Sequence, residues 1–455
     1  MRVVVDWGTA FALFASAVVG QMHMVPSPCG QGVYDPARDR VVVADYYGPT
    51  ATIATLWFDG ATFVQLPAQT FFWYTRLAAY DAARGVIVSP QTFSNTTHEW
   101  DGSGWSVRGA APYQSGSVIP NQHTFYRLSP TYHPGRRRIV ATRPGTTGPG
   151  IDLVEWDGAT WSLILTTNAP ATAPSAFGWY FYGPMAYDVR RGKLVLHGRT
   201  QMTTALTSPS YAPHAWEWDE ASGWTQTVTG AVVPTSGPDE SLWFDEQRGR
   251  ILKYARTTTA SWNVSSRRDD GSWAPIGTPS SVNAMVYCYP SSYDPVRQRV
   301  YGSSATASEY LTDLYPAEYV RHGTGCASPL APRLELVAPW TRAWRGQDLS
   351  VTVNPAPQSF AVLATGFSDQ AYGTVTLPMA LASAGMPGCE LRVAPEHLQL
   401  GFGASGTVRF DLPVPDLPAL VGVEFWQQAF TIAIGSNPAG VLLSDSKRGR
   451  IGKAD

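Results

Sequence analysis

The chain has 455 residues, of which 44% are hydrophobic, 12% aromatic and only 15% charged, with 42 glycines and 36 prolines. That length is too great for one ordinary domain, and the composition is that of a folded, β-rich protein of two or three domains. A formal net charge of −2, with the basic residues scattered, excludes a nucleic-acid binder, which needs a basic face to neutralise phosphates.

In chain order, the first element is MRVVVDWGTAFALFASAVVGQ. It reads as a secretory signal over residues 1–20: Arg2, an apolar run to Val19, then small residues, with cleavage after Ala17 or Gly20. The run is shorter than the ~20 residues of a membrane span, and no later segment comes closer, so no span is expected once the signal is removed. The sequence thus predicts a secreted or cell-envelope protein, extracellular or periplasmic. In such a setting four cysteines, Cys29, Cys288, Cys326 and Cys389, read as two disulfides with three possible pairings.

Residues 21–325 are repetitive. YDPARDRVVV begins at Tyr34, YDAARGVIV at Tyr80, YHPGRRRIV at Tyr132, YDVRRGKLVL at Tyr187, FDEQRGRIL at Phe244 and YDPVRQRVYG at Tyr293, at spacings of 46 to 57 residues. An arginine stands four residues after each aromatic: Arg38, Arg84, Arg136, Arg191, Arg248 and Arg297. Asp follows the aromatic in five copies; the third has His133. Each copy reads as a hairpin, in which the Asp accepts turn amides and the Arg pairs with it or lies on the ring. A second hairpin follows in EWDGSGW (Glu99–Trp105), EWDGATW (Glu155–Trp161) and EWDEASGW (Glu217–Trp224), with looser copies in WFDGATF (Trp57–Phe63) and DDGSW (Asp269–Trp273). There Asp-Gly makes the turn and the aromatics pair across it. Four strands per unit, six times over, predict an all-β fold: a six-bladed β-propeller.

The order Tyr-Asp-x-x-Arg, a β-branched run, then Trp-Asp-Gly-x-x-Trp resembles bacterial kelch-like repeats over about residues 25–325, although the family's Gly-Gly doublet is absent. After Cys326 the repeat stops. APRLELV, DLSVTV, SFAVLATGF, GTVTLP, CELRVAP, GTVRFDLP, GVEFWQQAFTIAI and GVLLSD alternate between Pro/Gly breaks, which predicts a β-sandwich over 326–455. GTGC, Cys-x-Leu-x-Val and VGVEFWQQAF resemble a C-terminal module of secreted proteins from environmental bacteria. Cys29 and Cys288 each lie five residues before the repeat's aromatic in the first and sixth copies, which are neighbours in a closed ring. This predicts a Cys29–Cys288 bridge closing the circle and leaves Cys326–Cys389; buried free thiols are the alternative.

The repeated Asp of EWDG is accounted for as a turn acceptor. It is similar to the Asp-box of sialidases, but lacks the leading Ser-x-Asp, and an Asp-box is itself structural. Two segments stand out, FFWYTRLAAYD (Phe71–Asp81) and FGWYFYGPMAYD (Phe177–Asp188), because they enter the innermost strand of their units. Phe72, Trp73, Tyr74, Trp179, Tyr180 and Tyr182 are candidates for an aromatic rim that stacks on sugar faces or apolar planes, with packing between blades as the alternative. The eight histidines show no ligand spacing. A copper-radical oxidase of galactose oxidase type also joins a kelch-like propeller to a sandwich. Tyr287-Cys288-Tyr289 with His123 or His133 would be its ligands here, but Cys288 is better used in the ring-closing bridge. The expectation is therefore a single-copy binding protein without cofactor or metal, recognising an extracellular glycan or protein. The alternatives are that oxidase, a glycan-active enzyme, or a structural envelope module.

Overall fold

The computed structural model describes residues 32–47, 52–58, 63–65, 69–70, 78–91, 95–112, 130–144, 151–170, 180–201, 211–227, 240–256, 262–277, 292–303, 309–313 and 315–454. Among these the regular structure is all β, apart from single 3-10 turns at Ala382–Ala384 and Pro418–Leu420.

The repeats fold as successive antiparallel meanders whose spatial strand order equals the chain order. Sheet 2 is typical: Ala79–Asp81, Val86–Gln91, Thr96–Trp100 and Trp105–Ala110. Sheets 3, 4 and 5 repeat it over 131–164, 180–227 and 240–277, and sheet 1 over 32–65 with one further short strand, Gln69–Thr70. Sheet 6 has three strands among the described residues: Ser292–Asp294, Arg299–Ser303 and Glu309–Asp313. The first hairpin is set locally. Its fourth turn residue has positive φ in every copy (Asp39, Gly85, Arg137, Gly192, Gly249, Gln298), which returns the chain into a twisted strand. Only three of the six are glycine, so this conformation is imposed at Asp39, Arg137 and Gln298 by the rest of the unit.

Neighbouring sheets share their cores. Val42 packs with Ile87, Trp100 and Trp105; Ala79 and Val88 with Ile139 and Trp156; Val140 and Leu153 with Met185, Leu194 and Trp218. Ala186 and Val195 pack with Leu242 and Ile251, and Leu252 and Val264 with Tyr293 and Val300. The sixth sheet then returns to the first: Ser292–Asp294 touches Gly32–Asp35 and Arg40–Tyr47. This is propeller-like packing, in which every sheet buries both faces against its neighbours.

The C-terminal region has two larger sheets, beside two two-stranded ribbons, Ala371–Tyr372 with Val375–Thr376 and Met379–Ala380 with Glu390–Leu391. Five strands run in the order Glu318–Gly323, Val441–Arg450, Glu424–Ile432, Phe360–Gly366, His397–Phe402, and three in the order Arg333–Leu336, Asp348–Asn354, Val408–Pro413. Alternate residues of both enter one core: Leu334, Leu349, Val351, Val353 and Phe410 from the second, Tyr319, Ala361, Leu363, Phe425 and Ala429 from the first. A smaller core of Leu381, Ala433, Leu442 and Leu443 surrounds the Cys326–Cys389 disulfide, as expected for that pair. A disulfide suits an oxidising compartment. Cys29 and Cys288 lie outside the described residues. The sequence places the end of the repeat region at residue 325, yet Glu318–Gly323 hydrogen-bonds to Val441–Arg450. Its alternating EYVRHG reads equally well as an outer strand of the repeat, and tertiary pairing decides.

The two regions meet at a turn of sheet 5. Trp344 Nε1 donates to the Gln247 carbonyl, and its ring lies 4.6 Å from the Arg248 guanidinium. Arg248 donates to the Lys453 carbonyl at 3.2 and 3.3 Å, and Trp340 packs on Gly249.

Candidate functional site

A meander has two chemically different ends. Strands one and two, and strands three and four, turn at one end; the two–three connection and the link to the next sheet lie at the other. The repeated motifs build the first end. Asp35, Asp81, Asp188, Asp245 and Asp294 are buried and pair with the arginine three residues on, at 2.6, 2.7, 2.7, 2.5 and 2.8 Å. Each also accepts turn amides, as Asp81 does from Ala83 N at 3.0 Å. In the third copy His133 Nδ1 accepts the Arg136 amide at 3.2 Å, and burial lowers the His133 pKa, which keeps that nitrogen a free acceptor. Arg136 turns instead to Glu155 at 2.6 Å.

The second motif behaves likewise. Asp101 accepts from Ser103 N and Gly104 N at 2.8 and 3.0 Å, and Asp157 from Ala159 N and Thr160 N, both at 2.8 Å. Side-chain and backbone hydrogen bonds hold Asp101 below the usual carboxylate range. The tryptophans pair across the turn, Trp100–Trp105 at 5.7 Å and Trp156–Trp161 at 5.4 Å between centroids.

Sequence reasoning missed the glutamate of EWDG. Glu99, Glu155 and Glu217 are buried and join the two hairpins of their own sheets, and Glu99 and Glu217 also reach the next sheet. Glu99 accepts from Arg84 at 2.6 Å and from Trp156 Nε1 of sheet 3 at 2.7 Å. Glu217 accepts from Arg191 at 2.6 Å and from Arg267 of sheet 5. Burial alone would raise the Glu217 pKa, but its hydrogen bonds to Arg191 and Arg267 hold it lowered. Such an ionised, donor-saturated carboxylate cannot exchange a proton near neutrality, so it serves as a strut. The available signal was the recurrence of Glu two residues before the Asp-Gly or Asp-Glu turn in the same copies that carry the Arg.

Arginines of several of these turns also reach the next sheet. Arg38 donates to the Asp101 carbonyl, Arg136 to Glu220 at 2.8 Å, and Arg190 pairs with Asp269. Arg297 closes the series with a bidentate pair to Asp39 at 3.0 and 2.9 Å, while Tyr34 donates to Asp39 at 2.6 Å.

Of the aromatic candidates, Phe72, Trp73, Tyr74 and Trp179 lie outside the described residues. The backbones of Tyr180 and Tyr182 belong to Tyr180–Asp188, opposite Thr200 and Gly198, beyond a register irregularity between Tyr182 and Met185. They therefore stand at the opposite end of the strand from the Asp188 turn, where connections between sheets enter. Of the copper candidates, Tyr287, Cys288, Tyr289 and His123 lie outside the described residues. His133 sits between Tyr187 and Trp218, its ring centroid 4.5 and 5.9 Å from theirs.

No family model and no curated protein matches the chain. Among solved structures it is similar to an α-L-arabinanase from Penicillium chrysogenum complexed with arabinobiose, at 12% identity and TM-score 0.43, covering 62% of this chain and 92% of that one. It is also similar to an α-L-arabinofuranosidase from Fusarium graminearum, at 11% identity and TM-score 0.42, covering 62% and 90%. A third is AofleA from Arthrobotrys oligospora, at 13% identity and TM-score 0.38, covering 62% and 82%. At this level of similarity any assignment rests on the chain's own chemistry.

Proposed function

We propose that the chain is a secreted or cell-envelope binding protein, a six-bladed kelch-like β-propeller joined to a C-terminal β-sandwich. It recognises an extracellular glycan or protein on the end of the propeller that carries the connections between blades. The supporting observation is the commitment of the opposite end: its repeated acids, arginines and tryptophans are spent on turns and on neighbouring sheets. The connections differ in length in the same sense. First-hairpin turns are four residues (82–85, 189–192, 246–249), whereas the links between sheets cover 66–78, which includes the short strand Gln69–Thr70, and 111–130, 165–179, 228–239 and 278–291. Long connections on a rigid scaffold are where binding residues concentrate. Phe72, Trp73, Tyr74, Trp179, Tyr180 and Tyr182 fall in or beside two such links and supply flat rings for a sugar face or an apolar side chain.

The test is a glycan array, with a parallel search of extracellular proteins, on the full chain and on Trp73→Ala and Trp179→Ala. Loss of a ligand signal in either variant, with unchanged melting, supports the rim. Unchanged binding in both removes these residues from the site, and a blank array and search favour a purely structural envelope module. Copper content of the purified protein separates the oxidase alternative: stoichiometric copper would overturn the binding reading.

A further inference from the structure

The two larger C-terminal sheets expose four edge strands, and three are defended against pairing with other chains. Glu318–Gly323 carries Glu318 and exposed Arg321, in ion pairs with Arg450 and Asp445. Arg333–Leu336 exposes Arg333 and Glu335, and Val408–Pro413 exposes Arg409 and Asp411 before ending on proline. Charges and proline on an edge are the usual protection against further strand addition. The fourth edge, His397–Phe402 (HLQLGF), has no Asp, Glu, Lys, Arg or Pro, and its register against Phe360–Gly366 runs without a bulge. Among the described residues it pairs with that strand alone. Its outward side chains are apolar and open: Leu398 is 57%, Leu400 64% and Phe402 79% exposed, and the Phe402 ring lies tilted against Phe360 of the neighbouring strand, 5.3 Å between centroids. Its inward positions are fixed, because a Cβ on Gly401 would lie 2.7 Å from the Phe410 ring.

We propose that this strand pairs antiparallel with its counterpart in a second copy of the chain, extending the five-stranded sheet across a two-fold axis at Leu400. A charged partner finds nothing to pair with on HLQLGF, whereas the stripe matches itself. Side-chain alternation requires residues on the same face to meet. A two-fold at Leu400 therefore sets Leu400 against Leu400 and Leu398 against Phe402, with all apolar groups on one face. At about 200 Å² for a fully exposed large side chain, these exposures total at most about 400 Å² per copy, and lateral pairing covers only part of it because the outer face of the sheet stays in water, so the pair buries less than about 800 Å² of side-chain surface. That is below the range of tight complexes and within that of weak, concentration-dependent association. It departs from the single copy expected from sequence and is independent of the ligand-binding reading, since it uses the other domain.

The experiment is light scattering or sedimentation of the full chain across concentration, with Leu400→Lys, Leu400→Cys and Leu165→Lys, the last being an exposed leucine on the outer strand side of sheet 3. Expected is one chain at about 1 μM and two chains at about 100 μM, with the two-chain species lost in Leu400→Lys and kept in Leu165→Lys. Directly opposed residues of antiparallel strands have Cα atoms about 4.5–5.5 Å apart, within disulfide reach. Leu400→Cys should accordingly form a reductant-sensitive linked dimer that the unaltered chain does not. A wild-type chain that is a single copy throughout, a dimer that survives Leu400→Lys, or a Leu400→Cys chain that dimerises without linking would each overturn the proposal.

Discussion

Arg248 is the point at which one substitution should be felt by the most structure. Its side chain is fully buried, pairs with fully buried Asp245 at 2.5 Å, donates to Gln298 of sheet 6, and caps the Lys453 carbonyl beneath the Trp344 ring. Replacing it with Met keeps most of the volume and removes the charge. Asp245 then keeps neutral donors, the Gln247 amide at 2.9 Å, the residue-248 amide at 3.3 Å and Gln298 Nε2 at 3.2 Å, but loses the guanidinium paired with it, so a buried carboxylate is left without that cation. Breaking a buried pair from one side costs about 3–5 kcal/mol. For a chain of 455 residues that corresponds to a melting temperature lower by about 3–5 °C. Differential scanning calorimetry is the assay, because the substitution also loosens the contact between the two regions and should split a joint transition in two. Asp245→Asn combined with Arg248→Met removes both charges and should recover part of the loss. A single variant within about 1 kcal/mol of the parent, or a double variant no better than the single, would refute the assignment of Arg248 as the buried charge that joins these regions.

Other expectations follow from the same physics. Glu217 has a folded-state pKa held below its ordinary value by Arg191 and Arg267. Its contribution to stability is therefore present above the unfolded pKa and lost as pH falls through the lowered folded one. Glu217→Gln should destabilise at pH 7 and flatten the acid limb of a melting-temperature profile between about pH 5 and 3; an unchanged limb would contradict this. The ring-closing pair should be asymmetric: Asp39 is exposed, so Asp39→Asn should cost at most ~1 kcal/mol, whereas Arg297→Ala also strands buried Asp294 and should cost more than ~2 kcal/mol. Urea titration of the two variants separates the cases, and equal losses would show that burial of Asp294 is not what matters. The Cys326–Cys389 bridge spans 63 residues, and replacing both cysteines by serine should lower C-terminal stability by about 4 kcal/mol on the loop-entropy argument. A calorimetric shift confined to the repeat region would contradict its placement.

Local chemistry made much of this fold legible. Tyr-Asp-x-x-Arg fixes its own turn with an acceptor and an ion pair three residues apart, and Trp-Asp-Gly does the same with a hairpin and two rings, so periodicity and turn residues were enough to find them. The glutamate struts escaped because their partners are distant in sequence: Glu99 is bonded to Trp156, and Glu217 to Arg267, through contacts that exist only once sheets have stacked. The strand Glu318–Gly323 escaped for the same reason, since its alternation suits either sheet and its partner lies more than a hundred residues on. The aromatic candidates were legible as composition; the backbones of Tyr180 and Tyr182 lie at the connection end of their strand, and the other four fall outside the described residues. How these rings are presented depends on loop geometry, which alternation does not encode.

The docking of Lys453 and Trp344 on the Arg248 turn has a kinetic corollary. The Arg248–Lys453 contact spans 205 residues, and a contact so remote in sequence carries a large loop-closure entropy that must be met before it stabilises anything. Sheets 1 to 5 can zip up by neighbour-to-neighbour stacking, and the Arg248–Asp245 pair of the fifth turn is local, but that turn gains the Lys453 carbonyl and the cover of the Trp344 ring only when the C-terminal strands have paired. Refolding should therefore end in a slow, cooperative step that consolidates both regions together, and chains arrested before it would display the open strand edges from which aggregates grow.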